Sequence, residues 1–263
     1  AHEQTSMWRI VWHQYRRHRL AVISTVVFLI LALVAVFAPL LAPYDPAYID
    51  PTVFDEAPSQ AHPLGTDRVG RDVLSRIIHG ARTVLVIAIL AALMSAAVGV
   101  PTGLLSGFFG GWPDRVLSLV MDSVYSFPGL ILAIAMAALL GPGMLNVAVA
   151  IAVIYIPVYF RLVRSKVLSV KEEVYVEAAR SLGARALTTL LLYVFPNVIP
   201  SIVVIFSVNV ADSILTEAGL SFLGLGLPPP TPDWGFDLSA GKRFVPSGYW
   251  WIITYPGLMI ALL

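Results

Sequence analysis

Cysteine is absent from this sequence, and charged residues are scarce, at 13% of the chain. Without cysteine there is no disulfide framework, no thiolate metal site and no cysteine nucleophile. The formal net charge of +1 provides no basic field for nucleic acid. A soluble domain carries about a quarter charged residues. The low share of charge, together with 58% hydrophobic residues, therefore indicates a protein of the lipid bilayer.

The short motifs that carry most enzyme chemistry are also missing. The chain contains no G-x-x-x-x-G-K-[ST] phosphate loop, no H-E-x-x-H zinc motif and no G-x-S-x-G nucleophile turn. Its five histidines never pair at ligand spacing on a predicted helix. We therefore expect no catalytic residues and no metal site in this chain, and a membrane-embedded enzyme is the least favoured class.

Long uncharged runs predict an all-α polytopic membrane protein with six transmembrane helices, because about 20 apolar residues suffice to cross the hydrocarbon core. The predicted order is a cytoplasmic segment 1–19, a first span 20–43, an extracytoplasmic loop 44–82 with a short surface helix near its end, and a transmembrane core 83–263. Within the core, spans are expected at 83–107, at 116–140, from there to about 163, and at 196–216. A last apolar run begins near Tyr249 and is too short to cross, so we expect the chain to stop inside its sixth helix.

Positive charges orient these spans. Arg9, Arg16, Arg17 and Arg19 precede the first span and place the N-terminus in the cytoplasm by the positive-inside rule. A second basic cluster between residues 161 and 185 falls on the same side.

The second span carries small residues at every fourth position: Ala91, Ser95, Gly99, Gly103 and Gly107. Such a seam lets two helix backbones approach closely in lipid, where association depends on van der Waals fit. We expect this span to pack in the centre of a bundle. The alternative is a merely flexible, glycine-rich helix.

A polar-tolerant segment near 172–183 lies between two strongly apolar ones and predicts a short amphipathic helix on the cytoplasmic side. Val174, Ala178 and Leu182 share one apolar face. Glu173, Glu177 and Arg180 lie on other faces, and the last two form an i,i+3 pair. This helix either meets a soluble partner or only stabilises its loop.

The same segment resembles a known family. Glu177-Ala178-Ala179, then Gly183, then Pro196 follow the EAA signature of ABC importer permeases, with Tyr193 and Phe195 replacing the usual Ile and Leu. The blocks HPLGTDRVGRDVLSRIIHGAR (62–82), FFGGWPDR (108–115), DSVYSFPGLILAI (122–134) and ILTEAGLSFLGLGLPPPTPDWG (214–235) are similar to the "C" subunit of the dipeptide, oligopeptide and nickel branch.

The resemblance implies a mechanism and partners. In this family a second, homologous B-type permease, two cytoplasmic ATPases and an extracytoplasmic solute-binding protein assemble in the bacterial inner membrane. ATP and Mg would be bound by the ATPases, not by this chain. The segment from Glu173 to Gly183 would be the coupling helix, moved by the ATPases so that the spans alternate between inward-open and outward-open states. The cargo would be di- or oligopeptides, with nickel or a nickel chelate as the alternative.

Polar residues inside or beside the predicted spans are candidates for the translocation path: Asp122, Asn209, Asp212 and Glu217. An aspartate in hydrocarbon costs about 2.5–3.5 kcal/mol on insertion scales, so it should face protein or water. Asp122 would either meet a peptide's cationic amino terminus or pair with Arg115 on its own helix. Asn209 is expected to join helices. The segment 217–234 either gates the path, contacts the binding protein or forms a structured loop. A self-sufficient secondary transporter remains a further alternative.

Overall fold

The computed structural model describes residues 15–262, so Leu263 and the predicted cytoplasmic residues up to position 14, including Arg9, lie outside the described part. The described chain is helical and has no strand. Its helices are α1 (Arg19–Val36), α2 (Ala38–Leu41), α3 (Val73–Phe109), α4 (Gly111–Tyr125), α5 (Gly129–Leu140), α6 (Met144–Val170), α7 (Val174–Ser181), α8 (Ala186–Phe222), α9 (Trp234–Gly241) and α10 (Trp251–Leu262). The all-α class is confirmed.

Four of these helices, α1, α3, α6 and α8, are long and apolar enough to cross a membrane. The pair α4 and α5 adds a fifth span if the two are counted together. The apolar helix α10, with 12 residues, lies where the sixth apolar run begins.

The predicted third span, 116–140, is not one helix. Residues 126–128 separate α4 from α5, and the two axes differ by 88°. Pro128 has no N–H to donate and disfavours helical geometry at the residue before it. In contrast, Pro101, Pro157 and Pro200 lie inside continuous helices.

Helix α3 begins ten residues before the predicted second span, so the short surface helix expected near 62–82 is not a separate element. The Asp72 side chain accepts a hydrogen bond from the Ser75 N–H and caps the helix at this start. Gly80 does not interrupt it. An added Cβ there would lie 2.6 Å from the Trp234 ring, so the glycine serves close packing.

The small-residue seam of α3 lies against α6. Ala91 and Ser95 are fully buried, and the Ser95 hydroxyl donates to the Ala152 carbonyl of α6 at 3.1 Å. A Cβ added at Gly99, Gly103 or Gly107 would lie 2.6 to 2.9 Å from atoms of α6. The two backbones approach as closely as glycine allows, and α3 also packs against α1 and α8.

Helix α8 runs without a break past the predicted start of the fifth span. Its first turns include a π-helical segment, Thr189–Val194, directly before Pro196. A wider turn next to a proline accommodates the missing N–H, so the helix continues through it.

The segment after α8 folds back onto α3 as an ordered cap, here called the outer cap (residues 223–248). The Trp234 indole N–H donates to the Ile77 carbonyl at 3.0 Å. Arg76 forms a buried ion pair with Asp237 at 2.6 Å, and also donates to the Pro230 carbonyl. Burial raises the pKa of Asp237, and the Arg76 guanidinium acts in the opposite direction.

Candidate functional site

The segment between α6 and α8 forms the expected short helix, α7. Glu173 is its N-cap residue with extended backbone, and the helix ends after Ser181. Gly183 follows with φ +87°, where its N–H donates to the Arg180 carbonyl. The next N–H, of Ala184, reaches back to the Ala179 carbonyl at 3.1 Å. This left-handed turn at glycine is the geometry that closes helix ends.

Helix α7 has one buried face and one exposed face. Val176 is fully buried and Ala179 is 6% exposed. Val176 belongs to a cluster with Val167 of α6 and Leu190 of α8, so α7 is packed onto two long helices at once. A force applied to α7 would therefore reach both α6 and α8.

The predicted apolar face of α7 is the exposed one. Val174 is 79% exposed, Leu182 is 90% exposed, and Ala178 lies between them, also exposed. No other part of residues 15–262 covers this face. Exposed apolar side chains in a row are typical of a protein contact surface.

Two details of this segment differ from expectation. Glu177 and Arg180 form no ion pair, although both side chains lie in the described part of the chain. The Arg180 guanidinium instead lies 5.3 Å from the centroid of the Phe108 ring, a cation–π arrangement that ties α7 to the end of α3. Pro196 is an exposed residue inside α8 and does not begin that helix.

One of the two interpretations expected Asp122 to pair with Arg115, and this pair does not form. The partner of Asp122 is Arg161 of α6, at 2.7 Å, and the Arg161 guanidinium also lies 3.9 Å from the Tyr125 ring centroid. Both charged side chains are exposed, Asp122 by 59% and Arg161 by 43%. An interhelix partner thus replaces the intrahelix one.

A second ion pair joins the same two helices and was not predicted. Arg164 donates to both carboxylate oxygens of Asp114, at 2.6 and 2.8 Å. One signal was available in the sequence. Asp114 and Asp122 are about two turns apart on one helix face, and Arg161 and Arg164 are about one turn apart on the next span.

The other three path candidates lie elsewhere. Asn209 is 1% exposed and Glu217 is fully buried, so both point into the chain and not towards its outer surface. Asp212 is half-buried. Among these three, only Asp212 has access to the surface of the chain.

The buried polar residues of α8 form a row at four-residue spacing: Asn209, Ser213, Glu217 and Ser221. Both carboxylate oxygens of Glu217 and the Ser213 hydroxyl have no hydrogen-bond partner among the described residues. The Ser221 hydroxyl donates to the side chain of Asp233, the N-cap residue of α9. The last residue of the row is therefore hydrogen-bonded to the outer cap. No cluster of three or more histidine, aspartate or glutamate side chains that would hold a metal ion occurs in residues 15–262.

Two family descriptions match the sequence. Residues 99–263 match the "Binding-protein-dependent transport system inner membrane component" family, which includes α4 to α10 and the seam glycines. Residues 6–61 match the "N-terminal TM domain of oligopeptide transport permease C".

Relatives agree with these matches in sequence, and two solved structures are similar in fold. The chain is 43% identical over 236 residues to the glutathione transport system permease protein GsiD of Pectobacterium atrosepticum, covering 89% of this chain and 78% of the relative. It is 41% identical, with the same coverage, to GsiD of an Escherichia coli strain. Two solved structures of the MetNI methionine ABC transporter in inward-facing conformations are similar in fold, with TM-scores of 0.56 and 0.57 at 17% and 16% identity. The two alignments include 71% and 72% of this chain, and 88% and 91% of the respective MetNI chains.

Proposed function

The chain belongs to the family of binding-protein-dependent transport system inner membrane components, and from this membership we propose that it forms half of the path through which an ABC importer moves small peptides. As a member of this family it is a multi-pass inner membrane protein and a permease subunit, which is not itself catalytic. Because members of this family work with a binding protein, the membership disfavours the alternative of a self-sufficient secondary transporter.

The proposal of peptide-type cargo is supported by the relatives named for glutathione transport, to which 89% of the chain aligns at 41 to 43% identity. Glutathione is a small peptide, so we propose small peptides as the cargo class without assigning dipeptides or longer oligopeptides in particular.

We propose further that α7 is the helix through which ATP hydrolysis moves this subunit. Its exposed face, made of Val174, Ala178 and Leu182, would seat in a cleft of a cytoplasmic ATPase. The buried Val176 would pass the movement to α6 and α8. ATP and Mg would be bound by the ATPase, which fits a chain without a phosphate loop.

The remaining partners follow from the same proposal. A second, B-type permease would complete the path, two ATPases would bind on the cytoplasmic side, and a solute-binding protein would deliver cargo from outside. The N-terminus would lie in the cytoplasm, because three of the arginines before and at the start of the first span, Arg16, Arg17 and Arg19, follow the positive-inside rule.

The natural absence of cysteine allows a direct test of the α7 contact. Ala178→Cys, on the exposed face, should crosslink to a single cysteine placed in the docking cleft of the ATPase. The matched control is Ala179→Cys, one residue further on but only 6% exposed, which should not crosslink. If no position from Val174 to Gly183 crosslinks while the complex stays assembled, the proposed contact is wrong.

Cargo is tested separately. Proteoliposomes that hold the complete importer should take up radiolabelled glutathione or a dipeptide only with ATP and the binding protein. ATP-independent uptake, or uptake of nickel ions alone, would contradict the proposed function.

A further inference from the structure

Two arginine–aspartate pairs join α4 to α6, and in the first of them both carboxylate oxygens have hydrogen-bond partners. Arg164 donates to both oxygens of Asp114, and the hydroxyls of Ser106 and Ser118 bond to the same carboxylate. The side chains of Arg164 and Asp114 are 34% and 20% exposed. Both oxygens of this carboxylate therefore have protein partners, and the pair fastens the two helices.

The second pair keeps hydrogen-bonding capacity. Arg161 donates through Nε and Nη2 to one oxygen of Asp122, Oδ1, at 3.2 and 2.7 Å. The other oxygen, Oδ2, and the Arg161 Nη1 have no hydrogen-bond partner among residues 15–262. Tyr125 holds the guanidinium from one side through its ring. The pair is therefore fixed in place and exposed, and one acceptor atom, Oδ2, and the N–H groups of Nη1 have no partner among the described residues.

Lipid is not a suitable neighbour for this pair. Helices α4 and α5 together have the length and composition of a span, and the chain leaves helical geometry between them at 126–128. Charged groups and non-helical backbone at membrane depth must be covered by protein or lie in water. The exposed Ser123 and Ser126 extend the polar strip from Asp122 to the break.

Water fits this strip better than a packed helix does. An apolar partner helix against Asp122 and Arg161 would desolvate atoms that lack partners among residues 15–262, at a cost of about 1–3 kcal/mol for each group left unpaired. A water-filled path leaves them solvated until a solute with matching groups arrives.

We propose that Asp122 and Arg161 form a binding station for zwitterionic cargo in the translocation path. An ammonium group of the cargo bonds to Asp122 Oδ2, and a carboxylate accepts from Arg161 Nη1. This inference rests on the proposed function and adds the charge pattern of the cargo. A zwitterion adds no net charge to the neutral pair, so no buried charge is left uncompensated. A cargo blocked at one end leaves one member of the pair unmatched.

Access to the station is tested by thiol labelling in the assembled importer. Ser126→Cys supplies the only thiol of this chain. A membrane-impermeant methanethiosulfonate reagent should label it, and dialanine delivered by the binding protein should slow the labelling, whereas N-acetyl-dialanine amide should not. A thiol that the reagent never reaches from either side would show that this face is covered, and would overturn the inference.

Use of the station is tested by transport. Asp122→Asn and Arg161→Gln should each lower ATP-dependent dialanine uptake by about 10-fold or more, since each removes a charge-assisted hydrogen bond, while assembly and thermal unfolding stay close to wild type. Asp114→Asn, in the pair whose two carboxylate oxygens are both hydrogen-bonded, is the matched control and should lower the unfolding temperature.

The outcomes separate this inference from the proposed function. Normal dialanine uptake by Asp122→Asn and Arg161→Gln would overturn the station and leave the importer standing. Full recovery of uptake in the charge-swapped variant Asp122→Arg with Arg161→Asp would show that only the pairing matters, and would also overturn it. Absence of ATP-dependent peptide uptake by the wild type would refute the proposed function itself, and with it the station.

Discussion

Gly103→Ala offers the sharpest test of how α3 and α6 are held together. The change adds one methyl group where the two helix backbones meet. The new Cβ would lie 2.8 Å from the Phe160 carbonyl oxygen and 2.9 Å from the Val163 Cβ. A backbone oxygen cannot move away unless α6 itself shifts, so the contact must be relieved by separating the helices.

The expected loss follows from two opposing effects. Alanine is favoured over glycine in a helix interior by about 1 kcal/mol. Inserting a methyl group into a closely packed contact costs about 1–3 kcal/mol, and a rigid backbone neighbour places this site in the upper half of that range. We therefore expect Gly103→Ala to lower the free energy of unfolding by about 1–2 kcal/mol.

Gly219→Ala is the matched control, because this glycine also lies in a long apolar helix. Its added Cβ would meet only the Leu130 Cδ1 atom, at an ordinary 3.7 Å. This variant should gain about 0.5–1 kcal/mol. Reversible unfolding in detergent, followed by tryptophan fluorescence, measures both. Equal free energies of unfolding for the two variants would refute the packing argument.

Two further predictions concern buried charge. Arg76→Met should lower the free energy of unfolding by about 3–5 kcal/mol, because it leaves Asp237 buried without its partner; the double variant with Asp237→Leu should recover part of this loss, and equal losses in both would contradict the reasoning. Glu217→Gln should leave the free energy of unfolding unchanged or raise it, because Glu217 is buried beside the Asp233 carboxylate with both its oxygens unpaired; a loss of more than about 1 kcal/mol would show that its carboxylate has a stabilising partner.

Most of the helical framework could be read from local sequence. The spans could be predicted because about 20 apolar residues in a row have few stable environments other than a bilayer. The seam of α3 was visible because small residues at four-residue spacing share one helix face. Helix α7 was visible because amphipathic spacing and a terminal glycine are also local signals. The role of α7 in coupling stays a prediction.

Other features depended on contacts between distant residues. The local chemistry of Pro128 is the same as that of Pro101, Pro157 and Pro200, yet only Pro128 follows a break in the helix. From the sequence we know only that each proline lacks an N–H and clashes with the preceding turn. The packing around the proline determines whether the helix continues.

Charge pairing shows the same division. The sequence alone established that Asp122 and Asp212, inside predicted spans, are costly in a membrane and need a protein or aqueous environment. The tertiary structure decided that Asp122 meets Arg161 on another helix, and that Glu217 is enclosed within the chain. The physical reason is that the cost of a charge depends on the residue itself, whereas its partner is whichever group the packed helices bring within a few ångströms.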